Sequence, residues 1–133
     1  ERPFCPMFVL LPIRSPSRLF LHQVLQCLKS IHSQNIVHGD VKPSNIMFFP
    51  SSHPWKLLDT DLSAKRGERC EIHYTLMYAA PELVRAVERG EKSFILDTSM
   101  DMWAFGVLAF EVLTGDIAIS SLIKATRRSL FRE

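Results

Sequence analysis

The feature that most constrains this chain is the order of three polar segments along it. They are His38 to Asn45 (HGDVKPSN), Asp59-Thr-Asp61 and Ala80-Pro-Glu82. Two short apolar runs, Ile46 to Phe49 and Trp55 to Leu58, separate the first two segments and predict a β-hairpin with a longer loop. Because a hairpin folds the chain back on itself, Asn45 and Asp59, fourteen positions apart, can face one ligand.

Helical patterns flank this arrangement. Apolar residues recur at helical spacing through residues 17–34, with Ser17 as a plausible N-cap. Pro81 suits the first turn of a second helix that Gly90 would end. A third helix is predicted from Thr98 to Leu113 with Gly115 as its stop. Its apolar side chains cover most of its circumference, so we expect it to be deeply buried.

Two further stretches have a clear local character. Pro6 to Leu11 is a short apolar run between prolines and predicts a buried strand. Residues 36–45 mix glycine, proline and polar residues and predict a loop. From Asp59 to Tyr78 the sequence is polar without a period, which predicts a long irregular segment, and such segments are usually functional.

Composition narrows the class of protein. The length of 133 residues fits one domain, and 47% apolar residues are enough for a core. A net charge of +2 makes no strong field, so we expect no nucleic-acid or membrane partner. Three cysteines without a CxxC spacing predict neither a disulfide framework nor a zinc site, and reduced thiols favour a cytoplasmic or nuclear location. The histidines outside the first polar segment are expected in surface or packing roles rather than as metal ligands.

In order and spacing, the three polar segments resemble the catalytic loop, the metal-binding motif and the activation-segment anchor of protein kinases. The Lys42-Pro43 pair resembles the serine/threonine type. The resemblance implies an α+β fold: a mainly helical C-terminal lobe with a short β-hairpin, the N-terminal lobe being essentially absent. Residues 1–133 would form a partial kinase domain, with a strand remnant on the hinge side (1–12), the core of the lobe (17–115) and a truncated C-terminal part (116–133).

The resemblance also implies a role for each polar residue. Asp40 would orient the attacking hydroxyl and take its proton, and Lys42 would neutralise charge on the transferred phosphate. Asn45 would act with them in the catalytic loop and, together with Asp59, would hold Mg²⁺. Lys42, Asn45 and Asp59 would also contact the nucleotide, and Met47 would lie beneath the adenine ring.

Four more residues are assigned by the same resemblance. Thr75, in the substrate loop, would brace Asp40 and Lys42. His38 would pack and hydrogen-bond in the core, and Asp101 would accept backbone N–H bonds from the catalytic loop. Glu82 would pair with an arginine beyond Glu133.

These assignments imply transfer of the γ-phosphate of ATP to serine or threonine hydroxyls of protein substrates, with Mg²⁺ as cofactor. The sequence contains no Gly-rich loop, no strand lysine of the Val-Ala-Ile-Lys type and no helix with its partner glutamate, so we expect little or no activity from the 133 residues alone. The oligomeric state is not predicted.

Departures from the family pattern leave alternatives open. Gly39 stands where most kinases have an arginine that binds an activation-loop phosphate, so activation by loop phosphorylation is less expected. Thr60 and Asp61 replace the usual phenylalanine and glycine. Family members usually have another helix where this chain runs directly from Leu11 to Ser17. The alternatives are a pseudokinase or interaction module that keeps the fold without catalysis, and a non-functional truncated copy that aggregates through an exposed apolar face.

Overall fold

The computed structural model describes residues 16–115 of the chain. The predicted strand at Pro6 to Leu11 and the segments 1–12 and 116–133 lie outside the described residues. The elements are α1 (Pro16–His32), β1 (Ile36–Val37), β2 (Ile46–Phe48), β3 (Trp55–Leu57), β4 (Ala64–Lys65), β5 (Arg69–Glu71), α2 (Pro81–Glu88), β6 (Ser93–Ile95) and α3 (Thr98–Thr114). Helices and small antiparallel sheets occur together, which agrees with the predicted α+β class.

The three predicted helices are confirmed with small shifts at their ends. α3 begins after Asp97, whose side chain accepts a hydrogen bond from the Ser99 backbone N–H at 2.9 Å. It ends at Gly115, which has φ 71° and donates its N–H to Glu111 O at 2.8 Å. Glycine tolerates this left-handed conformation without steric cost, which explains the stop. Within residues 16–115 no helix has the length and apolar character needed to cross a bilayer.

The main core lies between α1 and α3. Its buried residues are Leu21, Val24 and Leu28 of α1, Ala104, Phe105, Leu108 and Ala109 of α3, and Val41 and Ile46 of the intervening chain. Burying each of these side chains other than the two alanines contributes about 1.5 to 3 kcal/mol. Because Val41 belongs to the first polar segment, this core holds that segment against both helices.

The expectation that α3 is buried around its whole circumference is wrong for the described part of the chain. Met102, Trp103 and Phe110 are exposed by 43%, 46% and 38%. The described elements pack on one side of α3, so these apolar side chains on its other side remain in contact with solvent.

The predicted hairpin is confirmed as the antiparallel pair β2–β3. Ile46 lies opposite Leu57, and Phe48 lies opposite Trp55. The Trp55 ring meets Phe20 of α1 edge-on, with ring centroids 4.9 Å apart, which fixes the hairpin to that helix. The turn-back is completed by the Leu58 N–H, which donates to Asn45 O at 2.7 Å.

The stretch from Asp59 to Tyr78 is more regular than predicted. β4 pairs with β1, with Val37 opposite Ala64, and β5 pairs with β6, with Cys70 opposite Phe94. The predicted loop at residues 36–45 likewise begins with β1 and contains a 3-10 turn at Pro43–Asn45. Strands of two or three residues have no readable period, and these have partners 22 to 29 residues away. The prediction of a wholly irregular segment is therefore wrong.

Candidate active site

The carboxylate of Asp40 is held by three side chains. Lys42 Nζ lies 2.6 Å from Asp40 Oδ2. Thr75 Oγ1 donates to Oδ1 at 2.9 Å, and Asn45 Nδ2 donates to Oδ2 at 3.0 Å. The structure thus brings together four of the residues that the sequence predicted as a site, although Thr75 is 35 positions from Asp40.

Thr75 closes a small network. Its hydroxyl donates to Asp40 and accepts from Lys42 Nζ at 3.1 Å. The threonine directly precedes a 3-10 turn at Leu76–Tyr78, and the Tyr78 hydroxyl donates to Glu111 Oε2 of α3 at 2.6 Å. Burial, the bond to Glu111 and its negative charge all raise the pKa of Tyr78, so this phenol stays protonated at neutral pH. The turn that follows Thr75 is therefore anchored on α3.

The environment of Asp40 favours its ionised form. Burial raises the pKa of Asp40, but the hydrogen bonds from Lys42, Thr75 and Asn45 and the charge of Lys42 together outweigh it. The pKa of this carboxyl therefore lies below its ordinary value. At neutral pH the group is a carboxylate that can accept a proton, and its two oxygens are fixed in direction.

Asn45 and Asp59 offer the oxygen atoms that Mg²⁺ prefers. Asn45 directs its side-chain N–H groups at Asp40, to the carboxylate and to the backbone oxygen at 2.8 Å, so its amide oxygen is kept as an acceptor. Asp59 directly follows Leu58, whose backbone N–H donates to Asn45 O. The Asp59 Oδ1 atom accepts a hydrogen bond from the Asp61 N–H at 3.3 Å. Across residues 16–115 no three His, Cys, Asp or Glu side chains converge as a metal site. A set of one amide and one carboxylate fits Mg²⁺ shared with phosphate oxygens rather than an all-protein cage.

Asp101 holds the backbone of the first polar segment, His38 to Asn45. It is 1% exposed, and its carboxylate accepts the N–H groups of His38 at 2.8 Å and Gly39 at 2.9 Å. The structural role assigned to Asp101 stays a prediction, and these are the contacts through which it would act. His38 is also 1% exposed, and its Nε2 lies 3.1 Å from Leu58 O, so the ring ties the catalytic loop to the residue before Asp59.

His32 is a further member of this support that sequence reasoning missed. Its Nε2 lies 2.8 Å from Asp101 Oδ2, across 69 residues of chain. A single histidine in the last turn of a helix is usually a surface residue, and nothing near it in sequence indicates a buried partner. The available signal was Asp101 itself, because a buried carboxylate needs as many donors as it can find.

Gly39 allows a close approach of two loops. Its φ is +84°, and a Cβ added there would lie 2.8 Å from the backbone oxygen of Leu62. Ser63 Oγ donates to His38 O at 3.1 Å and the Ser63 N–H donates to Thr60 O at 2.9 Å, so a tight turn presses Leu62 against the catalytic loop. Gly39 therefore lies against Leu62, which belongs to the turn that begins at Thr60.

Two predicted site residues lie apart from this network. Met47 is on β2 opposite Lys56, with half of its surface exposed. Glu82 is in the first turn of α2, and within residues 16–115 it forms none of the five ion pairs. Their assigned roles, under adenine and with a later arginine, stay predictions.

Comparison with known proteins agrees with this geometry. A family model described as protein kinase domain matches residues 14–131. Serine/threonine-protein kinase SBK1 of Danio rerio is 39% identical over 98 residues, which cover 72% of this chain and 25% of that protein. The protein of the same name from Mus musculus is 38% identical over 98 residues, 72% of this chain and 23% of the relative. Aurora kinase of Saccharomyces cerevisiae is 34% identical over 99 residues, 72% and 25% respectively. The matched part spans about a quarter of the length of these relatives.

Proposed function

Because this chain belongs to the protein kinase family, we propose that it supplies the catalytic loop of an enzyme that transfers the γ-phosphate of ATP to serine or threonine hydroxyls of protein substrates. The observation that carries the proposal is the carboxylate of Asp40, ionised and fixed by Lys42, Thr75 and Asn45. Two of the three relatives are named serine/threonine-protein kinases, which supports the choice of acceptor.

Each residue of the network has a part in the proposed reaction. The substrate hydroxyl attacks the γ-phosphorus, a new O–P bond forms, and the hydroxyl proton passes to the Asp40 carboxylate. The bond between the β- and γ-phosphates breaks and ADP leaves. Lys42 offsets negative charge on the transferred group. Thr75 holds Lys42 and Asp40 in their relative positions through its two hydrogen bonds. Asn45 and Asp59 would hold Mg²⁺, which when bound neutralises phosphate charge.

The test is phosphate transfer to serine- and threonine-containing proteins by the 133 residues alone and by the same chain joined to a kinase N-terminal lobe. We expect transfer in the joined protein and little or none in the chain alone, because the sequence holds no Gly-rich loop or strand lysine for the nucleotide phosphates. Asp40→Asn should lower the transfer rate by about 10²- to 10⁴-fold. The control Glu88→Gln, at an exposed carboxylate on α2, should leave it unchanged.

Two outcomes contradict the proposal. One is transfer by the chain alone that survives Asp40→Ala. The other is a joined protein whose rate is the same with and without the Asp40 carboxylate.

A pseudokinase is the second candidate, and one contact favours it. Asp59 Oδ1 accepts a hydrogen bond from the backbone of Asp61, so part of the metal-binding carboxylate is used within its own loop. In a pseudokinase the joined protein would stay folded and bind a partner without transferring phosphate. A thermal shift measured with ATP, with and without Mg²⁺, separates the cases: an enzyme requires a shift that depends on Mg²⁺ and is lost in Asp59→Asn.

A further inference from the structure

The chain between the metal-binding motif and the anchor is paired on both of its flanks. By the family resemblance, residues 59–82 are the activation segment. On one side β4 pairs with β1, and on the other β5 pairs with β6. Backbone bonds continue beyond the strands: the Gly67 N–H donates to Leu96 O at 2.8 Å, and the Ile72 N–H donates to Lys92 O at 3.1 Å. Residues 64–72 are thus held by the body of the protein along most of their length.

Side chains add an apolar contribution to this pairing. Cys70 and Ile72 of the segment belong to the same apolar cluster as Phe94 of β6 and Leu96, which directly follows that strand. The buried members of this cluster are Val37, Ala80, Leu83, Leu96 and Met100. Phe94 of β6 packs against this cluster, whereas its neighbour Ile95 is 49% exposed to solvent. Burial of apolar surface stabilises the segment independently of any charge.

An ion pair links the segment to the start of α3. Arg66 Nε lies 2.8 Å from Asp97 Oδ2, and Asp97 Oδ1 accepts the Ser99 N–H at the beginning of the helix. Both partners are exposed, so the pair contributes at most about 1 kcal/mol. Arg69, the next arginine along the segment, donates to Ser93 Oγ at 3.2 Å. The ends of the 92–97 segment therefore connect the activation segment to the helix whose Asp101 supports the catalytic loop.

We propose that residues 92–97 hold the activation segment in its extended conformation in the unphosphorylated chain, in place of a phosphate bound by a catalytic-loop arginine. Gly39 has no side chain to bind such a phosphate, and the close approach of Leu62 O leaves no room for a Cβ. The order of the segment comes instead from a backbone ladder and a shared apolar cluster. Phosphate transfer without prior modification of the segment follows only if the proposed function is right.

Hydrogen exchange of the whole 133-residue chain tests this without any measurement of activity. The chain is treated with a phosphatase, and intact mass establishes that it carries no phosphate. We expect the amides of residues 67–72 to exchange at least about tenfold more slowly than in an unstructured peptide of the same sequence. Phe94→Ser should abolish this slowing, while the matched control Ile95→Ser, on the exposed face of the same strand, should leave it within about threefold of wild type.

The amides of α3 serve as the check on folding. Should Phe94→Ser also unfold α3, Arg66→Gln against Arg89→Gln gives a gentler comparison, because the second arginine pairs only locally with Glu91. Arg66→Gln should then speed exchange in residues 67–72 with α3 unchanged, and Arg89→Gln should not. The proposal is overturned by fast exchange of residues 67–72 in the unphosphorylated wild type, by slowing that appears only after phosphorylation of the segment, or by equal effects of variant and control. Hydrogen exchange does not depend on whether Asp59 binds a metal, so the proposed function can fail without changing these results.

Discussion

Replacing Gly39 by alanine adds two costs to folding: a left-handed backbone at a residue with a Cβ, and a clash of that Cβ with Leu62 O. Gly39 and Gly67 share the same φ of +84°, but their surroundings differ. A Cβ at Gly39 would meet Leu62 O at 2.8 Å, whereas a Cβ at Gly67 would meet nothing within 4 Å. Gly67→Ala is therefore a control that carries the backbone cost alone.

The magnitudes follow from these two environments. A left-handed backbone costs a residue with a Cβ about 1 to 2 kcal/mol, which applies at both positions. Forcing an atom against a backbone oxygen in a packed region adds about 1 to 3 kcal/mol, which applies at Gly39 alone. We expect Gly67→Ala to lower the free energy of unfolding by about 1 to 2 kcal/mol and Gly39→Ala by about 2 to 5 kcal/mol.

The assay is thermal and urea denaturation of both variants beside the wild type. At about 4 °C per kcal/mol for a domain of this size, the two midpoints should differ by about 4 to 12 °C. Gly39→Arg should destabilise at least as much as Gly39→Ala, because it carries the same Cβ. Equal midpoints for the two alanine variants would refute the argument that Leu62 closes on the catalytic loop.

Three other changes test the site and its support. Asp101→Asn should lower the free energy of unfolding by about 1.5 to 3 kcal/mol in urea denaturation, because the amide NH₂ must face one of the backbone N–H donors. A loss below about 0.5 kcal/mol would contradict this prediction. Tyr78→Phe removes the hydrogen bond to Glu111. Because folding raises the pKa of this phenol, the stability advantage of the wild type over the variant should be full below about pH 10 and lost as the pH rises further. A difference in stability that does not depend on pH would contradict this prediction. Thr75→Val should raise the pKa of Asp40 toward its ordinary value, because it removes one of the hydrogen bonds that lower it. The variant should lose stability that the wild type has above about pH 4, and the acidic limb of the pH profile of phosphate transfer should move to higher pH. An acidic limb that does not move would show that the threonine hydrogen bond does not affect Asp40.

Local patterns were enough to predict the helices and the hairpin. α1 and α3 follow apolar spacing, and Gly115 ends α3 because glycine tolerates positive φ. The β2 and β3 strands flank a loop that contains Pro50 and Pro54. Each of these signals acts within a few residues. The grouping of Asp40, Lys42, Asn45 and Thr75 was predicted by family resemblance, since no local rule connects Thr75 to a loop 35 residues earlier.

What the sequence did not predict depends on partners that are distant in the chain. β6 forms only because β5 lies beside it, and β4 only because β1 does. His32 looks like an ordinary helix-end histidine until α3 brings Asp101 to it. The exposure of Trp103 has the same origin, because an apolar side chain does not reveal which neighbour covers it.

The position of Asp101 has a consequence for the order in which this protein folds. Its three donors lie 62, 63 and 69 residues earlier in the chain. Closing a loop of that size costs about 4 kcal/mol from the logarithmic chain-length dependence alone, so these bonds form after the local helices and turns. During synthesis the segment His38 to Asn45 leaves the ribosome long before α3 does, and until then its buried N–H groups have only water to bind. The loop proposed for catalysis thus acquires its final shape only when the last described helix arrives.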